Sequence, residues 1–382
     1  MSSTSRAGAV AARRKVAVVG GGVIGLSVAW RAAAAGHPVT VVDPRPGYGA
    51  SWVAGGMLAP VTEAWPGEEE SLRLGEESLR RWPEFARALA TDGGDPGLST
   101  EGTVVVALDR GDAGQLTVLA DYLASVGRTV EQITSRRLRA VEPGLAGAVR
   151  GGLLVPGDLA VDNRKLLRSL HAAAARHGVE FVERKAEAIE SGVVTTGSGT
   201  VECDVVVVAA GAHSGRLHPA LAGAVRPLKG EILRLRARRT SLPPPSRTVR
   251  AVVEGRPVYL VPRAGGELVL GATQYEAGFD ESVTAGGVRE LLDSAERIFP
   301  GIAEFELVET AAGLRAASVD TMPFIGELAP GVLAATGHHR NGLLMAPVTA
   351  DAVVAFLAGE KPPEGVEAAE PARLDRHRDE GQ

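Results

Sequence analysis

The stretch KVAVVGGGVIGLSVAW, residues 15–30, decides the fold. Lys15 to Gly20 is a nearly continuous apolar run, the pattern of a short strand buried on both faces of a parallel sheet. Three glycines follow, then an alanine-rich helix expected from about Val23 to Ala35, with Gly36 placed to stop it. The next run, HPVTVVD, is a second buried strand that ends on Asp43. Strand, glycine turn, helix and strand make a βαβ unit of about 30 residues.

Within that unit Gly20, Gly22 and Gly25 satisfy Gly-x-Gly-x-x-Gly. Gly20 permits the tight turn, Gly22 lets backbone approach a pyrophosphate, and Gly25 lets helix and strand pack closely. Val23 and Ile24 open a helix whose free N–H groups and positive dipole end suit phosphates. Asp43, at the end of the second strand, can bind ribose hydroxyls. A glycine turn alone is a weak signal. With both strands, the helix and the terminal acid in register, it indicates a dinucleotide site, without choosing between FAD and NAD. Two further runs favour FAD. DVVVVAAGAHS (204–214) is a buried strand ending in small residues, where Ala210 and Gly211 let backbone pass a flat or phosphorylated ligand. ASWVAGGMLAP (50–60) is a Gly/Ala-rich run suited to wrapping a cofactor.

Composition narrows the rest. At 382 residues, 45% of them hydrophobic, the chain has room for two domains and a sizeable core. Its 48 glycines fall in short loops rather than a period, which argues against collagen or low complexity. A net charge of −5 leaves no electrostatic footprint for nucleic acid or an anionic membrane. A single cysteine, Cys203, excludes an internal disulfide framework. The first residues lack an apolar signal core, and no stretch is long and apolar enough for a membrane helix, so the expected home is the cytoplasm. No Ser–His–Asp set or His/Cys metal cluster has credible spacing, so no metal is expected.

Further along, helical patterns cover 68–91 and 111–126 around a strand at 102–108. Another helix follows Asp162 as its N-cap. Residues 226–272 alternate strands and turns, with a helix at about 286–299 and a final helix expected from near Asn341 to Leu357. The block 226–315 reads as a separate antiparallel sheet, so two domains are interleaved in sequence, and ligands favour such junctions.

The chain resembles the D-amino-acid-oxidase-like flavoproteins, most closely their glycine oxidase branch, over roughly residues 15–358. The runs that carry the resemblance are VVGGGVIGLSVAW, AGGMLAP, VVVVAAGAHS, VYLVPR with LVLGAT, AAGLRAASVDTMPFIG and TGHHRNGLLMAPVT. It implies an α/β fold in which a Rossmann-like, doubly wound FAD-binding domain (15–90, 150–225, 316–360) is interleaved with an α+β substrate domain on an antiparallel sheet (91–149, 226–315). Residues 1–14 and 361–382 are expected to be a disordered start and a flexible tail. The resemblance further implies non-covalent FAD and oxidative deamination of glycine or a similar small amino acid. The imine would give glyoxylate and ammonia or serve thiazole assembly in thiamine biosynthesis, with O2 reduced to hydrogen peroxide. Family members often form tetramers, so a homo-oligomer is expected.

By motif, Arg315 matches the arginine that clamps the substrate carboxylate and Tyr259 the tyrosine that helps hold it. Arg340 matches an arginine at the mouth of the site, near substrate and flavin, and Met57 an apolar residue over the pocket. Ser51, Gly55, Gly56, Ala210 and Gly211 match segments passing the pyrophosphate and ring system. Gly337, Asn341, Gly342 and Leu343 match a loop and helix start facing the flavin carbonyl edge. Two departures stand out: Ala316 follows the clamp where the family usually has proline, and Gln274 occupies a position expected to be apolar. An arginine fork suits a carboxylate because two parallel N–H···O bonds fix orientation, and orientation is most of what the protein must add to a flavin. His338 and His339 read as packing residues, and Lys229 and Arg263 as surface charges. Alternatives remain: a D-amino-acid or sarcosine-type oxidoreductase, a quinone-linked dehydrogenase, an NAD enzyme, or a non-catalytic redox sensor.

Overall fold

The computed structural model describes residues 13–128 and 130–374. Two sheets organise them. The first has six strands in the order Phe324–Ala329, Val332–Thr336, Val205–Val208, Val16–Val19, Val39–Val42 and Glu180–Val182. All neighbours run parallel except the edge strand Phe324–Ala329. Val16–Val19 and Val205–Val208 are wholly buried because both faces are covered. Helices Val23–Ala34, Asn163–Arg176 and Ala346–Ala358 pack on one face. A three-stranded antiparallel meander, Ala186–Glu190, Val193–Thr196 and Gly199–Glu202, packs on the other through Ile189 and Val194.

The second sheet has eight strands in the order Glu306–Ser318, Val225–Arg236, Glu267–Gly271, Arg256–Pro262, Thr248–Val253, Thr103–Ala107, Gly151–Val155 and Glu131–Thr134. Its period-two pattern sorts side chains cleanly. Leu233, Val258, Leu260 and Leu270 face helix Ala285–Ile298, while Ile232, Tyr259, Val261 and Val269 pack on the opposite face with Val53, Met57 and Ala160. Asp162 caps helix Asn163–Arg176 by accepting the N–H groups of Arg164 and Lys165, as a side-chain oxygen at that position does.

Four expectations need correction. Gly151–Val155, expected to lie with the nucleotide-binding segments from 150 onward, instead belongs to the eight-stranded sheet, paired with Thr103–Ala107. The final helix begins at Ala346, not near Asn341: Pro347 sits in its first turn, where a missing N–H costs nothing. Ahead of it, His339–Asn341 form a 3-10 turn, with His339 at φ +48°. Residues 361–374 are not a loose tail. Val366 and Ala369 are fully buried, and the Arg373 guanidinium is held by Asp320 and the Met322 carbonyl. A charged composition hid these few docking residues. Residues 1–12 and 375–382 lie outside the described residues. Finally, Lys229 and Arg263 are not surface charges, for reasons that belong to the site.

Candidate active site

The glycine fingerprint is built as its spacing requires. Gly20 adopts φ +110°, and a Cβ there would lie 2.3 Å from the Ala209 carbonyl oxygen. A Cβ on Gly25 would lie 1.8 Å from the Gly20 oxygen, so only glycine lets helix and strand approach. Gly22 meets nothing but the Ser51 hydroxyl, at 3.1 Å, leaving its backbone open. That hydroxyl accepts the Val23 N–H at 3.0 Å. Asp43 accepts the Gly21 and Arg45 N–H groups, each at 2.7 Å. These two bonds fix the carboxylate at the strand end and leave lone pairs for hydroxyl donors.

From Val23, Ile24 and Ser51 a cavity of about 1160 Å³ runs between the two sheets. Of the sequence-predicted residues, Gly55, Gly56, Met57, Gly211, Tyr259, Arg315, Gly337, Arg340, Gly342 and Leu343 also line it. Gly20, Gly22, Gly25, Asp43, Ala210 and Asn341 do not. Asn341 differs most from expectation: its N–H donates to the His338 carbonyl at 2.8 Å, and it borders a separate small cleft with Glu68 and Leu344.

The substrate end is shaped by missing side chains. The Tyr259 ring lies over Gly55 and Gly271, where an added Cβ would stand 2.6 Å from Cε2 and 2.4 Å from Oη respectively. Met57 and Ile232 pack in the same apolar cluster. Burial pushes the Tyr259 phenol up from its usual range, and the Arg315 charge opposes that. The Arg315 guanidinium rests on Gly230, where a Cβ would fall 2.3 Å from Nη1, and it donates to the Thr273 carbonyl at 3.2 Å. Among the described residues no carboxylate pairs with it.

Arg340 is placed differently. It reaches Glu63 at 3.2 Å and Glu68 at 2.8 Å, and Glu63 also takes Arg250 at 3.2 Å. The arginine borders the cavity with its charge already compensated. His338 is buried, bonded to the Thr349 hydroxyl at 2.9 Å, and burial holds its pKa down to about 3. His339 is held to about 4, first by burial and then by Arg340 and Arg315. Both are neutral at pH 7.

Several residues that shape the site went unread in the sequence. Asn163 donates to the Ser51 and Trp52 carbonyls at 2.9 and 2.8 Å and accepts from Arg234 at 3.0 Å. Arg263 donates to the Gly55 carbonyl at 2.5 Å, and burial lowers its pKa to about 10, still charged at neutral pH. Together they fix the 50–57 loop between nucleotide end and substrate end. The Asn after an N-cap Asp was the only local hint. Arg263 gave none, because its partner is a backbone oxygen 208 positions away.

The open backbone at Gly22, the fixed Asp43 and a cavity that runs from the neighbouring Val23, Ile24 and Ser51 to Arg315 fit an extended dinucleotide with its reactive end at the second sheet. The comparisons agree. Residues 15–356 match the model of the FAD dependent oxidoreductase family. Glycine oxidase of Geobacillus kaustophilus is 33% identical over 350 residues, 88% of this chain and 91% of that protein. Glycine oxidase of Pseudomonas aeruginosa is 31% identical over 91% of this chain and 96% of its own. The crystal structure of the Geobacillus kaustophilus enzyme superposes with a TM-score of 0.87 at 32% identity, covering 94% of this chain and 99% of that one. The chain belongs to the FAD-dependent oxidoreductase family, and its cofactor is FAD.

Proposed function

We propose that this protein oxidises glycine, or a similarly small amino acid, with non-covalently bound FAD. The observation that carries the reading is Arg315: a guanidinium inside the cavity, without an acidic partner among the described residues, beside the Tyr259 ring. A substrate carboxylate supplies the missing partner and gains two parallel charge-assisted bonds. Tyr259 offers its hydroxyl to the same carboxylate and its ring to the substrate. Met57 covers the pocket from the nucleotide side, and Arg340, held by Glu63 and Glu68, keeps the 61–68 loop at the rim. The nucleotide segments around Gly20, Gly22, Gly25, Asp43, Ser51 and Gly211 hold the cofactor. Bound FAD supplies the hydride acceptor for the α C–H.

No protein base is needed once the amine is neutral, and the positive charge of Arg315 disfavours an ammonium nearby. The net reaction is glycine, O2 and water to glyoxylate, ammonia and hydrogen peroxide, or release of the imine to thiazole assembly in thiamine biosynthesis. Two kinds of relatives support that last role by name. One is a bifunctional ThiO/ThiG protein of Trichormus variabilis, 30% identical, of which this chain covers 53%. The other is a thiamine biosynthesis oxidoreductase ThiO of Rhizobium etli, 34% identical. A cytoplasmic homo-oligomer is the proposed form. Substituted substrates such as sarcosine or D-alanine are the second reading, favoured by the exposed, polar Gln274 on the cavity wall.

The test is the visible spectrum of the purified protein before and after anaerobic glycine. Yellow protein that bleaches with glycine, then consumes O2 and releases peroxide, is expected. Bleaching by sarcosine or D-alanine but not glycine selects the second reading, and no bleaching by any of them refutes both.

A further inference from the structure

Arg315 touches the protein through two backbone segments: position 230 beneath it and the Thr273 carbonyl beside it. What orients the clamp is therefore whatever fixes these segments to each other. Glu231 does so on the far side of the sheet, away from the cavity. Its N–H donates to the Thr273 hydroxyl at 2.9 Å, and its carbonyl accepts the Thr273 N–H at 3.2 Å. The Thr273 hydroxyl in turn donates to the Glu231 carboxylate at 3.2 Å. The other oxygen of that carboxylate accepts the Thr284 N–H at 2.8 Å, where helix Ala285–Ile298 begins. Gly287 leaves room for it, since a Cβ there would stand 1.6 Å from Oε2.

Lys229 completes the brace. Its backbone pairs with Tyr275 in both directions, at 2.9 and 3.0 Å. Its ammonium reaches Asp280 at 2.7 Å and Glu231 at 3.9 Å. Lys229 and Glu231 are 2% and 0% exposed, and neither lines the cavity. Buried charges of this kind are weak contributors to stability, because desolvation offsets attraction and apolar replacements often serve as well. What such a network does supply is one geometry. Every strut here ends on the 272–284 segment, which also carries Gln274 on the cavity wall.

We propose that Glu231 and Lys229, with Asp280, are positioning residues that set the seat of the substrate carboxylate by fixing the Thr273 carbonyl against Arg315. This rests on the assignment of Arg315 as the clamp. Glu231→Ala should raise the KM for glycine about 10- to 100-fold, as small misplacements of a binding group do, with kcat and FAD content held. Binding of acetate, a carboxylate that cannot react, followed by its perturbation of the visible flavin band, should weaken by the same factor. Glu231→Gln, which keeps one acceptor oxygen and turns the other into an N–H donor, should show an intermediate loss. Asp280→Asn, at the half-exposed end of the brace, should show a smaller loss.

The decisive measurement places Glu231→Ala in an Arg315→Lys background. If Glu231 acts through Arg315, it then adds little to the loss in acetate affinity. Full additivity, or a lowered Tm with unchanged KM and acetate affinity, overturns the proposal. If Glu231→Ala yields no folded protein, Glu231→Gln and Asp280→Asn decide in the same way, and wild-type acetate affinity in both overturns it. Failure of the clamp itself reads out separately, as unchanged acetate affinity in Arg315→Lys alone.

Discussion

Arg315→Leu tests the site most directly. The substitution removes a guanidinium from a cavity where Glu63 and Glu68 already compensate Arg340. A carboxylate entering the variant faces the Tyr259 hydroxyl alone. Losing one member of a desolvated charge pair costs about 2–5 kcal/mol. Arg315 is only partly buried, and water in the cavity screens the pair, so the lower half of that range applies. About 2–3 kcal/mol corresponds to roughly 30- to 200-fold in kcat/KM. The loss should fall on KM, because the carboxylate is held alike in ground and transition states. Arg315→Lys keeps the charge without the planar fork and should lie between. The assay is initial rate of peroxide release against glycine concentration, with FAD content read from the visible band. A variant with full FAD and a KM within about twofold of wild type would refute the clamp, since uniform binding energy cannot vanish without raising KM.

Other perturbations separate the remaining parts. Gly25→Ala places a Cβ 1.8 Å from the Gly20 oxygen, so it should purify with little or no FAD, measured by the ratio of visible to ultraviolet absorbance. Arg340→Ala frees the 61–68 loop without removing an uncompensated charge; it should cost about 1 kcal/mol in kcat/KM, well below Arg315→Leu. A loss equal to that of Arg315→Leu would instead put Arg340 on the substrate. Asp158 is buried with one oxygen on the Thr62 hydroxyl, and burial raises its pKa to about 7 against the opposing pull of Thr62 and Thr103. Its folded pKa exceeds its unfolded value, so its contribution to stability is present below about pH 4 and lost as pH rises through 7. Asp158→Asn should therefore raise the Tm at pH 8 relative to wild type and narrow the difference between pH 8 and pH 5. The ceiling is about 4 kcal/mol at roughly 1.4 kcal/mol per pKa unit. An unchanged pH dependence of Tm would show that Asp158 ionises freely.

What the sequence could reveal depended on whether a residue's task is local. Gly20, Gly22, Gly25 and Asp43 act within one βαβ unit, so spacing alone gave turn, open backbone and strand-end acid. Tyr259 shows why the substrate end was harder. Alternation in VYLVP assigns Tyr259 and Val261 to one face and Val258 and Leu260 to the other, but both faces of this sheet are buried, one by helix Ala285–Ile298 and one by the cavity. Periodicity cannot say which is which, and only the resemblance did. Lys229 and Arg263 were misread because lysine and arginine are almost never buried unless paired. Their partners, Asp280 and the Gly55 carbonyl, become neighbours only after the sheet forms. The residues hardest to read were those that act by having no side chain. Gly230 and Gly271 look like ordinary strand glycines, which weaken a strand and usually mark a bulge or a close approach. Here each is the floor beneath a side chain on the neighbouring strand, Arg315 diagonally over Gly230 and Tyr259 directly opposite Gly271. A glycine in a strand interior, one strand away from a lone arginine or tyrosine, is thus a signal for a binding cavity that can be sought once strand register is known. Gly271→Ala checks it: the added Cβ, 2.4 Å from the Tyr259 hydroxyl, should displace the ring and raise the KM for glycine while FAD stays bound. An unaltered KM would mean that the ring's position over Gly271 has no part in holding substrate.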